Sequence, residues 1–135
     1  MIAATDEAAH GWRVLVAEDD DLFAEAIDAF LKDAGFTVVV AADGEAALRE
    51  ADTYRFDALL TDLRMPRVDG ATLIRRLRQG RPELPVVVMS GNAPEDWKSS
   101  LQGDGEGPMV MLGKPTRMQD VVQSLRGVLT EASER

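Results

Sequence analysis

The chain has 135 residues, 15 Lys plus Arg against 24 Asp plus Glu, a formal charge of -9 and 45% apolar residues. That length fits one domain with a core able to hold itself together, and no apolar run approaches the roughly 20 residues of a membrane span. With no cysteine and a single histidine, His10, disulfides, thiolate chemistry, a Ser-His-Asp triad and a multi-histidine zinc site are excluded, and the acidic balance argues against nucleic acid as a partner.

Residues 1–11 are small and acidic and read as a flexible tail. They lack the basic start and apolar stretch of a signal peptide, so the expected location is cytoplasmic, with no membrane contact. Trp12 to Ala17 reads as a first strand, ending in the acids Glu18, Asp19, Asp20 and Asp21. Leu22, Phe23, Ala26, Ile27, Phe30 and Leu31 then recur at helical spacing, with Gly35 at the C-cap. Phe36 to Ala41 is a second strand, and Asp43-Gly44 opens a second helix. Phe56 to Thr61 is a third strand running into Asp62. Gly70 to Gln79 is helical, with Leu73, Ile74 and Leu77 inward. Leu84 to Met89 is the most hydrophobic strand and ends at Ser90-Gly91.

Pro94 suits a helix first turn, so a short helix is expected from Pro94 to about Leu101. A flexible loop with Gly103, Gly105 and Gly107 follows. Met109 to Leu112 is the fifth strand, ending at Gly113-Lys114-Pro115. Thr116 and Gln119 have capping-box spacing and open a last helix. Five strand–helix units with near-continuous apolar strands predict a doubly wound α/β fold, a five-stranded parallel sheet with five helices in three α/β/α layers. The predicted domain covers 12–130, with 131–135 as a C-terminal tail.

Ligands of open parallel sheets bind outside the carboxyl ends of the strands. Glu18, Asp19 and Asp62 end two strands, and Ser90 and Lys114 end two others. One lysine cannot neutralise three converging carboxylates, whereas Mg²⁺ prefers carboxylate, water and phosphate oxygens. The set therefore points to a Mg²⁺ site handling phosphate, with one carboxylate as a nucleophile and Lys114 offsetting charge on the transferred group. Ser90 would hydrogen-bond a phosphoryl oxygen, and Gly91 would leave room for it. Taken singly, each residue has a plainer reading: helix cap, loop acid, turn hydroxyl or solvated charge. Asp20 or Asp21 fits the cap reading.

In VLVAEDD (14–20), LLTDLRMPRVDG (59–70), VVVMSG (86–91) and LGKP (112–115), in that order, the sequence resembles the receiver domain of bacterial two-component response regulators. The resemblance covers about residues 12–130 and implies a flavodoxin-like fold. It implies that Asp62 accepts a phosphoryl group from a histidine kinase or phosphotransfer protein. Asp19 would ligate Mg²⁺ directly, Glu18 through water, and the backbone carbonyl of Arg64 would add a ligand. Ser90 would be the switch hydroxyl, Lys114 the phosphate contact, and Lys114-Pro115 a cis bond.

Two departures stand out. Met111 occupies the position of an aromatic switch residue, and the fourth helix is short. Arg64 and Asn92 sit where the family tunes dephosphorylation.

The implied protein is a stand-alone single-domain regulator, since only Glu131 to Arg135 follow the last helix. It would act by contact with a downstream protein, as a monomer or weak homodimer, and catalyse only its own phosphorylation and dephosphorylation. The alternatives are a phosphorylation-independent interaction module and a small Mg²⁺-dependent phosphohydrolase. Against the latter, Arg64 stands where a general acid is commonly found. Arg64, Arg67, Arg75, Arg76, Arg78 and Arg81, against Asp69, read as a solvated helix face. Met109 and Met111 read as core. Trp97 reads as a cover for the short helix or a partner anchor.

Overall fold

The computed structural model describes residues 11–91, Trp97, Leu101 and 106–134. In chain order the elements are β1 (Arg13–Ala17), α1 (Asp21–Asp33), β2 (Thr37–Ala41), α2 (Gly44–Thr53), β3 (Ala58–Asp62), α3 (Gly70–Gly80), β4 (Val86–Ser90), β5 (Met109–Gly113) and α4 (Met118–Ser133). The strands form one sheet in the order β2-β1-β3-β4-β5, and every neighbouring pair is parallel. The central strands β3 and β4 are buried throughout, which is why their sequences, ALLTD and VVVMS, do not alternate between apolar and polar.

Alternation along each strand divides the core between the two faces of the sheet. Val14, Val16, Leu60, Val87 and Met89 pack with Ile27 and Leu31 of α1 and Val121, Leu125 and Val128 of α4. Leu15, Ala17, Leu59, Val86 and Val88 pack with Ala47 of α2 and Leu73 and Ile74 of α3 on the other face. Met109 belongs to this second cluster, and Met111 and Trp97 pack against it. No helix among the described residues is long and apolar enough to cross a membrane.

Three aspartates start three helices. Asp20 accepts from the amides of Leu22 and Phe23, Asp43 from Ala46 and Asp69 from Thr72. Each satisfies a first-turn N–H that has no partner within the helix. Gly35 closes α1 at φ 103°, a region that favours glycine.

Four helices are described where five were expected. The expected helix from Pro94 to about Leu101 falls largely outside the described residues, as do Asn92, Gly103, Gly105 and His10. Within it, Trp97 and Leu101 are helical and Leu101 is buried.

Several sequence expectations need correction. Thr116 does not cap the last helix: its hydroxyl donates to the Gly113 carbonyl, and Arg117 holds the N-cap position without a side-chain bond. Gly107 is not loosely held, because it is buried against the backbone of Glu83 and its N–H reaches the Pro82 carbonyl. Arg78 is not on a solvated face. It is 4% exposed and donates to the carbonyls of Leu84 and Pro108. Helix α4 runs from Met118 to Ser133.

Candidate functional site

The register places the acids. Ala17 of β1 pairs with Thr61 of β3, so Glu18 and Asp62, each one residue further, stand side by side at the carboxyl edge. Ser90 ends β4 opposite Gly113 of β5, which carries Lys114 to the same edge. The Lys114 N–H donates to the Ser90 carbonyl at 2.9 Å. The Lys114-Pro115 peptide bond is cis.

Asp62 is buried but fully engaged. Its Oδ1 accepts from the Arg64 amide at 3.2 Å and its Oδ2 from Lys114 Nζ at 2.8 Å. Glu18 is 1% exposed. Its Oε2 accepts from the Asp20 amide at 3.1 Å. Its Oε1 is buried with no hydrogen-bond donor, and Lys114 Nζ stands 3.8 Å away. Asp19 is exposed on the rim. One oxygen from each of Glu18, Asp19 and Asp62 lies within 4.8 Å of the others.

The electrostatics follow from this crowding. Burial pushes the Glu18 carboxyl above its ordinary value, reinforced by Asp62 and Asp19 and opposed by the Asp20 amide and Lys114. Burial works against the Lys114 ammonium, yet the hydrogen bond to Asp62 and the surrounding carboxylates outweigh it and raise its pKa. A single cation is thus shared among three acids. An orphaned buried carboxylate oxygen within this oxygen-only set is what a hard divalent ion would satisfy. The three acids can bind a metal ion, and the donor set fits Mg²⁺.

The remaining sequence candidates lie around this centre. Arg64 is exposed and, with Asp19, lines a shallow hollow formed with Leu63, Met65, Pro66 and Asp69. Ser90 is buried at the end of β4. Gly91 is exposed, and a Cβ there would meet nothing within 4 Å, so close packing does not require glycine. Pro115 is exposed. Met111 is half-buried on the β5 face that packs toward α2 and α3. Asn92 lies outside the described residues.

Sequence reasoning missed two residues. The Phe23 ring centroid lies 5.6 Å from Lys114 Nζ; in the sequence Phe23 is one more apolar helix position. Arg67, at φ 68°, pairs with Asp43 across the gap between the β3–α3 loop and α2. Positive φ at a non-glycine residue has no sequence signal here.

Comparison with known proteins agrees with this geometry. The family model for the response regulator receiver domain matches residues 14–126. A response regulator receiver protein of Anaeromyxobacter sp. strain Fw109-5 is 36% identical over 110 residues, covering 82% of this chain and 45% of that protein. The transcription factor SKN7 of Saccharomyces cerevisiae is 36% identical over 112 residues, covering 82% of this chain and 18% of that protein. The chain therefore spans less than half of either relative.

Among solved structures, the chemotaxis protein CheY4 of Vibrio cholerae has a TM-score of 0.79 at 26% identity, covering 87% of this chain and 98% of that one. The receiver domain of the sensor histidine kinase PA1611 of Pseudomonas aeruginosa has a TM-score of 0.75 at 28% identity, covering 89% and 98%. That structure holds a magnesium ion coordinated in its active-site cleft.

Proposed function

Because this chain belongs to the response regulator receiver domain family, we propose that Asp62 accepts a phosphoryl group from the phosphohistidine of a kinase or phosphotransfer protein. A carboxylate oxygen of Asp62 attacks phosphorus, the P–N bond to the donor imidazole breaks, and an acyl phosphate forms. The observation that carries the reading is the pairing of Asp62 with Lys114 at 2.8 Å beside the orphaned oxygen of Glu18.

Each residue has a role in this reading. Lys114 leaves the carboxylate and offsets charge on the phosphoryl oxygens. Ser90, at the neighbouring strand end, donates to a phosphoryl oxygen. Asp19, Asp62 and the Arg64 carbonyl would hold Mg²⁺, with Glu18 assisting beside them. When bound, Mg²⁺ supplies neutralising charge for the transferred group. Arg64, exposed beside Asp62, tunes phosphate lifetime, as does Asn92. Leu22, 80% exposed in the first turn of α1 just after the acids, offers the donor an apolar contact. Output passes by contact with a downstream protein.

The test is intact mass spectrometry after incubation with Mg²⁺ and acetyl phosphate. One labile phosphate adduct is expected on the wild-type chain and none on Asp62→Ala. Absence of an adduct at every Mg²⁺ concentration would sink the reading.

A further inference from the structure

At the end of the sheet opposite Asp62, α2 and α3 part to leave a cleft of about 500 Å³. Its floor is apolar, with Phe56 and Leu84 buried in it. Tyr54 forms one wall. It is 45% exposed, yet its ring is fixed by an edge contact to Phe56 at 6.3 Å and by the Arg13 guanidinium 5.9 Å from its centroid. A rigid, exposed aromatic ring beside an apolar hollow loses little entropy on taking a partner.

The rim carries Arg55, Arg76 and Arg81 against one acid, Asp52. Arg81 is anchored by donating to the Phe56 carbonyl. Among the described residues none of these three arginines makes an ion pair. Burial, and then the like charge of Arg55, lower the pKa of Arg81, with Asp57 and Glu83 opposing. The C-termini of α2 and α3 end here and bring about half a negative charge each. Among the residues that line the cleft, three guanidiniums face one carboxylate, Asp52, with Asp57 and Glu83 within electrostatic reach of Arg81. The lining itself is thus rich in cations on a chain of net charge -9.

A small-molecule pocket buries most of its ligand. This cleft is open along a rim where Tyr54, Arg55 and Arg76 are all exposed, which suits a polypeptide better. We propose that the cleft docks an acidic segment of a partner protein, with one apolar side chain seated between Tyr54 and Phe56 and flanking carboxylates on the three arginines. An apolar anchor in a desolvated hollow supplies the affinity and the charged rim supplies the orientation. The site is separate from Asp62 and its occupation does not require phosphorylation.

The test is an amide NMR titration of the full, unphosphorylated chain with a synthetic peptide carrying one Phe flanked by Asp and Glu. Saturable shifts are expected at Tyr54, Phe56, Gly80 and Arg81. Replacing the peptide Phe by Ala, or the chain's Arg55 and Arg76 by Glu, is expected to weaken binding at least about tenfold. Both arginines are exposed, and an unchanged melting temperature shows that the double variant remains folded. Three results would overturn the proposal: no saturable shifts at these residues into the millimolar range, binding indifferent to the charge reversals, or AMP shifting the same residues more strongly than the peptide.

Discussion

The Lys114 ammonium lies 5.6 Å from the centroid of the Phe23 ring while it donates to Asp62 at 2.8 Å. The ring offers its electron-rich face to a cation already pulled toward the carboxylates, so it holds the ammonium without competing for its protons. Phe23 is therefore a positioning residue for Lys114. Phe23→Leu should slow phosphorylation by acetyl phosphate about two- to fivefold, the equivalent of 0.5–1 kcal/mol. Phe23→Trp should keep most of the rate. If Leu and Trp behave alike, the ring serves only as packing.

Glu18 makes the metal-free protein sensitive to pH. Its folded pKa is raised above 4.5, chiefly by burial. The group therefore favours the folded state fully below the unfolded value, and that contribution is lost as pH rises through the folded one. Without Mg²⁺, the melting temperature should fall as pH rises from the ordinary carboxylate range through the raised Glu18 value, and Glu18→Gln should remove the fall. Mg²⁺ binds the ionised acids, so its stabilisation should grow over the same window. At a hundredfold excess over Kd it amounts to about 2.7 kcal/mol, or roughly 10 °C. Thermal melts with Mg²⁺ and with EDTA, at each pH, measure both effects.

Gly70 couples α3 to the end of β3, which carries Asp62. A Cβ at this position would collide with the Asp62 carbonyl and the Leu63 Cα, both backbone atoms that cannot swing aside. Gly70→Ala should cost about 1–3 kcal/mol through overpacking and also slow adduct formation, because the displaced strand end carries Asp62. Gly127, inside α4, faces open space. Gly127→Ala should instead stabilise by up to about 1 kcal/mol through helix propensity and leave phosphorylation unchanged. Urea unfolding of both variants, with the mass assay beside it, checks the contrast.

Much of the fold and the acidic centre was legible in the sequence because a parallel sheet converts chain order into place. Once VLVA and LLT are neighbouring parallel strands, the acids that follow them must meet. Lys114 was legible for the same reason. What escaped the sequence depends on contacts that no local pattern encodes. Thr116 has capping spacing, yet its hydroxyl is taken by Gly113. Phe23 meets Lys114 across 91 positions. The run Arg75, Arg76, Arg78 reads as one charged stretch, although helical phase turns the last of these inward.

That last residue gives the sharpest stability contrast. Arg78 Nε and Nη2 donate to the Leu84 carbonyl at 3.2 and 2.7 Å, and Nη2 reaches the Pro108 carbonyl at 3.2 Å. These carbonyls lie just before β4 and β5, so one buried guanidinium ties together the segments that lead into two strands. Arg78→Met preserves much of the apolar stem but leaves the Leu84 carbonyl to find another partner or stay unsatisfied, while the Pro108 carbonyl keeps the Val86 N–H. At about 1–3 kcal/mol for a buried unsatisfied group, the loss should be about 1–3 kcal/mol. Arg75→Met and Arg76→Met, on exposed positions of the same helix, should each fall within about 0.5 kcal/mol of wild type. Urea unfolding of the three variants separates the buried arginine from its neighbours. Equal losses at all three would show that the arginines act through helix propensity or surface charge, and that the ties to Leu84 and Pro108 contribute nothing.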